Sequence, residues 1–228
     1  ESIYLSKKKK EFKNKGISIL TNNFKINKKI SNKYLVYKSL RKAGLKVPKY
    51  FIFKTRNQFY KYSKELGFPN KTLIIKPLDS IGGRGVIFLK GADFKYQKWI
   101  GKGKREKILD YRKLKILRQL KTFKKLMIME KLNPPAYDVD YFKSNKNKLI
   151  SIRKRLNPSG IPYRGNKIIR NKKIENYCNK IAKIMKINSL VDLDLLYNTK
   201  KEIVLLEINP RPSGSIVINH LAKFPFLS

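Results

Sequence analysis

The stretch from Ile203 to Ser215, I-V-L-L-E-I-N-P-R-P-S-G-S, constrains this chain more than any other. An apolar run ends in a carboxylate, Glu207, and Asn209 and Arg211 follow at alternating positions before Pro212, Ser213 and Gly214 turn the backbone. In an extended segment, side chains two apart leave the same face. Glu207, Asn209 and Arg211 therefore share one side and present two hard oxygen donors beside a fixed cation. The preceding stretch, Leu190 to Tyr197, reads as a second apolar strand with Asp192 and Asp194 on one face, and Asn198 to Lys201 form the polar turn between the two. A four-residue loop predicts Asp192 opposite Glu207, with Asp194 one diagonal step away. Carboxylates gathered on one sheet face repel each other and are costly to bury unless paired or metal-bound, so a divalent cation, magnesium, is the expected partner.

On this strand pair the chain resembles the ATP-grasp family, specifically its carbamoyl-phosphate-synthase-like branch, whose second half ends in a strand pair bearing D…E-x-N-P-R. The resemblance implies an α+β fold of α/β layers in which two subdomains clasp one ATP, preceded by a Rossmann-like domain of which residues 1–30 are the tail. It assigns residues 31–228 to the ATP-grasp domain, with a lid at about 50–128 and a body holding the metal hairpin at about 129–228. It also implies Asp194, Glu207 and Asn209 as magnesium ligands, manganese being the alternative ion, with Asp194 preferred to Asp192 on the family's spacing. Arg211, just past the ligands, would act on charge developing at the transferring phosphoryl group. Loss of Glu207 is expected to stabilise the metal-free protein by relieving carboxylate repulsion.

The other family motifs follow in order along the chain. Residues 5–15 read as a basic helix ending at Gly16, and Ile17 to Leu20 as a short strand. A helix from Ser31 to Ala43, stopped by Gly44, lies in N-K-Y-L-V-Y-K-S-L-R-K-A-G-L-K-V-P, similar to the family's D-K…L-x-x-A-G-x-x-V-P, which makes Lys33 the first phosphate-contacting lysine. A strand at Tyr50 to Phe53 and a helix at Gln58 to Leu66 lead into T-L-I-I-K-P-L-D-S-I-G-G-R-G-V-I-F-L. That segment predicts a hairpin with a glycine tip. Backbone at Ile81, Gly82, Gly83 and Gly85 can approach an anion closely, while Lys76 reaches phosphate as a point charge. The segment matches no Walker A pattern, and joined to I-I-K-P the glycine loop resembles that of ATP-grasp proteins.

Residues 93–125 are expected to form two amphipathic helices around Trp99 and a Gly101-Lys102-Gly103 break, with a solvated run from Lys102 to Lys107. Leu126 to Leu132 is a buried strand that resembles the family's hinge, where Glu130 and the backbone of Leu132 would meet adenine. The chain then departs from the pattern. Pro135-Ala136 stand where the family carries Gly-x-Glu for the ribose, and Asp138 is the same-face substitute. Strands at Asp138 to Phe142 and Leu149 to Leu156 put Arg153 and Arg155 on one face, either as holders of a carboxylate or acyl phosphate or as exposed edge charges. A helix from Lys172 to Met185 buries Ile174, Tyr177, Cys178, Ile181 and Ile184, and the single His220 reads as a surface residue.

A formal charge of +40 raises a second class of function, a basic factor that binds nucleic acid through lysine contacts to phosphate and aromatic stacking on bases. The excess is nearly all lysine spread along the whole length, whereas base reading favours arginine and backbone tracking favours clusters, so nucleic acid is not the expected partner. A third reading is an ATP-grasp fold that binds nucleotide without turnover. One cysteine, Cys178, excludes an intrachain disulfide and a cysteine-rich zinc site. Without an apolar run long enough to span a bilayer or a signal-peptide core, the expected location is cytoplasmic. Glu1 and the Phe224-Pro225-Phe226 end are read as the two ends of a fragment, and self-association is left open. The family resemblance implies a ligase in which a carboxylate takes the γ-phosphoryl group of ATP and an amine-type nucleophile displaces phosphate. Its partners are ATP, a small carboxylate and that nucleophile, and the chemistry requires positioning and charge more than a protein nucleophile.

Overall fold

The computed structural model describes residues 2–78, 85–94, 107–109, 125–144, 147–156 and 165–223, and a short polar side chain opens each of its longer helices. Asn32 accepts the N–H of Leu35 at the start of α4 (Lys33–Lys42), Thr55 that of Gln58 at α5 (Arg56–Glu65), and Asn171 those of Lys173 and Ile174 at α6 (Lys172–Met185). These caps satisfy amide groups that the helix itself leaves unpaired. Gly44, at φ +76°, supplies the left-handed residue that ends α4.

Ahead of α4 the basic segment forms α1 (Ser2–Lys7), α2 (Lys9–Asn14) and α3 (Phe24–Ile30). The strand expected at Ile17 to Leu20 is not one, because Ile17 and Leu20 are 49% and 61% exposed and have no apolar face to bury. The chain divides into two units. One comprises Glu1–Val47, Pro134–Tyr197 and Ile203–Ser228, and the other Pro48–Asn133 with Asn198–Glu202.

The second unit holds a sheet of β1 (Tyr50–Phe53), β2 (Leu73–Pro77), β3 (Ile87–Leu89), β4 (Lys107–Leu109) and β5 (Leu126–Glu130), in the order β1-β5-β2-β3-β4. β2 pairs antiparallel with both β3 and β5, and α5 packs its Phe59 into a core of Phe53, Leu66, Leu73, Ile75, Leu89 and Ile128. Two helices are expected at 93–125, but residues 107–109 run parallel to β3 as a strand, which satisfies that edge's backbone groups. Trp99 and the Gly101-Lys102-Gly103 break lie outside the described residues.

The first unit holds β6 (Asn133–Lys143), β7 (Lys148–Arg155), β8 (Asn166–Ile169), β9 (Val191–Tyr197) and β10 (Ile203–Asn209), in the order β10-β9-β6-β7-β8. β6 and β7 form the expected hairpin, and α6 buries Ile174, Cys178, Ile181, Ala182 and Met185. A short last helix, α7 (Val217–Leu221), carries His220 exposed. Among the described residues no helix is long and apolar enough to cross a membrane.

Candidate active site

Glu207 faces Asp194 because β10 carries one extra residue. The hairpin pairs Ile203 with Tyr197 and Leu205 with Leu195, then Glu207 with Asp194 and Asn209 with Asp192, so Leu206 is bulged out of register. This corrects the expected pairing of Glu207 with Asp192. The connection is one residue longer than expected, which alone would turn Glu207 away from both aspartates, and the bulge adds the second slip that turns it back.

Two tyrosines take up the backbone groups at the bulge. The Tyr37 hydroxyl donates to the carbonyl of Leu206 at 2.6 Å, and the Tyr177 hydroxyl accepts the N–H of Leu205 at 3.2 Å while donating to the carbonyl of Lys46 at 2.7 Å. Tyr37→Phe and Tyr177→Phe should each cost about 0.5–1.5 kcal/mol of stability and speed amide exchange at Leu205 to Glu207. Unchanged exchange there would show that the bulge does not depend on the hydroxyls.

Around this hairpin the sheet face alternates in charge. Lys33, at the start of α4, pairs with Glu207 at 3.2 Å. Arg155 reaches both Asp138 and Asp194 through Nη2 and grips Asp138 a second time through Nε at 3.0 Å. The Asn209 amide nitrogen lies 3.3 Å from Asp192 and 3.2 Å from Asp194. One ligand oxygen from each of Asp138, Asp192 and Asp194 lies within 4.8 Å of the others, and Oδ1 of Asp192 is buried without a hydrogen-bond partner among the described residues. Such a set of hard, anionic oxygens suits a divalent ion.

Burial is the main cause that pushes the Asp192 carboxyl up to about 8, with Asp138 and Asp140 adding to it. Burial also raises Asp194 well above the usual carboxylate range, although Arg155 pulls it back. Burial would raise Asp138 too, but its bonds and charge contact with Arg155 outweigh that and hold it below its ordinary value. For Asp192 the folded pKa lies above the unfolded one, so its contribution to stability is complete at low pH and is lost as pH rises through the folded value. EDTA-treated protein should therefore lose stability relative to an Asp192→Asn variant between the unfolded carboxylate range, roughly 4, and about 8. Melting curves of the two proteins across that window check it, and a difference that does not change with pH would contradict it.

One step along the face, Arg153 and Asp140 form an ion pair in which both side chains are fully buried. Arg153 is thus a core residue and not an exposed edge charge. Asp140 also accepts the N–H of Ser213 at 3.1 Å and the Asn219 amide at 2.7 Å, and Asn219 in turn accepts from Ser151 at 2.7 Å. This network ties the turn after β10 to the sheet. Arg211, at the head of that turn, is exposed and donates to the carbonyl of Pro212 at 2.7 Å.

The structure thus gathers Glu207, Asp194, Asn209 and Lys33 on one face and adds Asp138, Asp192 and Arg155 to them. Asp138, the expected substitute for a ribose contact, is buried and engaged by Arg155. Lys76, Glu130, Leu132 and Gly85 belong to the second unit. Lys76 is buried on β2 opposite Met127. Glu130 is buried, with one carboxylate oxygen accepting the N–H of Lys49 at 2.7 Å and the other the N–H and hydroxyl of Thr199 at 3.0 and 2.7 Å. Leu132 follows, 8% exposed. Gly85 has φ +71°, and a Cβ there would lie 3.0 Å from Cγ of Pro77, so a side chain at this position is both strained and crowded. Ile81, Gly82 and Gly83 lie outside the described residues.

Two family models match the chain: "ATP-grasp domain" over residues 30–103 and "ATP-grasp in the biosynthetic pathway with Ter operon" over residues 122–227. Among solved structures, an ADP complex of N5-carboxyaminoimidazole ribonucleotide synthetase aligns at a TM-score of 0.64 with 16% identity, covering 92% of this chain and 52% of that one. An L-amino acid ligase from Bacillus licheniformis aligns at 0.61 with 15% identity, covering 98% and 50%. A D-alanine-D-alanine ligase from Helicobacter pylori aligns at 0.62 with 17% identity, covering 95% and 61%. This chain spans about half to three fifths of the length of each, and it shares their fold.

Proposed function

This chain belongs to the ATP-grasp family, and on that footing we propose that it contributes the nucleotide and metal machinery of an ATP-dependent carboxylate–amine ligase. The observation that carries the reading is the gathering of carboxylates on the sheet face of the first unit. Five of the chain's fifteen acidic residues, Asp138, Asp140, Asp192, Asp194 and Glu207, meet three cations there, Lys33, Arg153 and Arg155. In a chain with formal charge +40, carboxylates gathered on one face, three of them with ligand oxygens within 4.8 Å of one another, make a place suited to a divalent ion. Asp194, Glu207 and Asn209 would hold magnesium or manganese, with Asp192 and Asp138 beside them. A metal bound there supplies charge neutralisation for phosphates.

The remaining roles fall to the chain's own side chains. Lys76 and the glycine segment ending at Gly85 bind the phosphates, Glu130 and the backbone of Leu132 face adenine, and Arg211 stabilises charge on the transferring phosphoryl group. A carboxylate oxygen of the small substrate then attacks the γ-phosphorus, the bond to ADP breaks, and an amine displaces phosphate from the acyl phosphate. The names of the structural neighbours, two amino-acid ligases and a synthetase in complex with ADP, support this class. The carbamoyl-phosphate-synthase-like branch is a finer reading that rests on the sequence alone.

The reaction moves one oxygen from the carboxylate to phosphate. With 18O-labelled carboxylic and amino acids as a substrate panel, released phosphate should carry label whenever ADP forms. ADP formed with unlabelled phosphate would contradict carboxylate activation. Lys76→Ala should weaken ATP binding by about 1.5–3 kcal/mol, the size of a hydrogen bond to a charged group. Lys42→Ala, at an exposed position of α4, should leave it unchanged. Equal ATP affinity of the two variants, measured calorimetrically, would remove Lys76 from the phosphate site.

A further inference from the structure

We propose that Arg155 is a built-in competitor of the divalent ion, holding a carboxylate, Asp194, that a cation would also take, so that metal loading and release of this contact are one event. The proposal rests on the metal reading above and says how that site is regulated. Arg155 is well placed to let go of one carboxylate without leaving the site. Its Nη2 is shared between Asp194 and Asp138, while Nε holds the second oxygen of Asp138 at 3.0 Å. A planar guanidinium gripping Asp138 by its fork stays anchored when the single contact to Asp194 is lost.

The neighbouring ligands are engaged in the same way. Lys33 lies 3.2 Å from Glu207, and the Asn209 amide presents its nitrogen to Asp192 and Asp194. A divalent ion held by Asn209, Glu207 and Asp194 would compete at each with a protein donor already in place. Oδ1 of Asp192 marks where the unmet demand lies. It is buried, has no hydrogen-bond partner among the described residues, and belongs to the trio whose ligand oxygens lie within 4.8 Å of one another. Protein cations thus offset part of the carboxylate repulsion and leave an excess that a divalent ion completes. Two ligands that compete for one group must each weaken the other's binding by the same factor.

The test is a titration with Mn2+ alone, followed by water-proton relaxation. It compares the parent with Arg155→Met, Arg155→Lys and Glu207→Gln, and adds melting curves with EDTA and with Mn2+. Arg155→Met should bind Mn2+ at least roughly tenfold more tightly, a coupling of ordinary size. It should melt lower than the parent in EDTA and gain more on adding Mn2+. Arg155→Lys carries a point charge that cannot fork across two carboxylates, so its affinity should fall between the two, and it decides the matter if Arg155→Met does not fold. Mn2+ affinity unchanged or weakened in the folded Arg155 variants overturns the proposal. Tighter Mn2+ binding on loss of Arg155 together with indifference to Glu207→Gln would uphold the competition while removing Glu207 from the ligand set. No Mn2+ binding by any of the proteins would overturn both.

Discussion

Glu207→Gln should lower metal-dependent ADP formation by about 100- to 1,000-fold, the range seen when one preorganised electrostatic group is removed from an active site. The substitution keeps the shape of the side chain and removes its charge. Opposite it stands Asp194, brought into register by the Leu206 bulge, and Asn209 follows on the same face. The loss of charge therefore falls directly across the strand pair from Asp194. Stability should move as well, and in the direction opposite to that expected from carboxylate repulsion alone. Lys33, only 7% exposed, loses its carboxylate partner at 3.2 Å, so the EDTA-treated variant should melt lower than the parent and not higher. ADP formation at the parent rate, measured with magnesium and a labelled carboxylate that turns over, would mean that this strand end is only a polar turn.

Asp140→Ala should cost about 3–5 kcal/mol of folding free energy, the usual penalty for leaving a buried charge without its partner. Arg153 has no exposed surface, and its Nε and Nη2 already lack hydrogen-bond partners among the described residues, so no further hydrogen bond stands ready to replace the lost one. The same change strips acceptors from the N–H of Ser213 and the amide of Asn219, loosening the turn that carries Arg211. Replacing both members, Asp140→Leu with Arg153→Met, should recover much of the loss, because two apolar side chains carry no desolvation penalty. Urea denaturation of the three proteins checks this. A loss under about 1 kcal/mol for Asp140→Ala would place Arg153 in contact with solvent and contradict its burial.

The parts of the fold legible in the sequence are those governed by local rules. Helices α4 and α5 begin and end within two residues of the expected bounds, and β1 and α6 run over the expected residues. The hairpins β6–β7 and β9–β10 follow from alternation around polar turns. What the sequence concealed is set by contacts between distant segments. The bulge at Leu206 depends on hydroxyls 169 and 28 residues away from their partners, and no periodicity reports a one-residue slip. Arg153 and Arg155 sit two apart with the same composition around them, yet one is sealed in the core and the other spans two carboxylates. Asp138 on β6 and Asp140 were likewise hidden as partners of those arginines. The available signal was pairing of alternation: an Asp-x-Asp on one strand of a hairpin facing an Arg-x-Arg on the next.

The central claim, that nucleotide is held by a metal-dependent site and not by general basicity, is tested most directly by ATP affinity measured with magnesium and with EDTA over a range of salt. Nucleotide binding through a metal held by Asp194, Glu207 and Asn209 predicts an affinity that needs the divalent ion and changes little as salt rises. A chain of formal charge +40 that merely attracts polyanions predicts the reverse: affinity equal or higher in EDTA, and a steep decline with added salt. That second result would contradict the account.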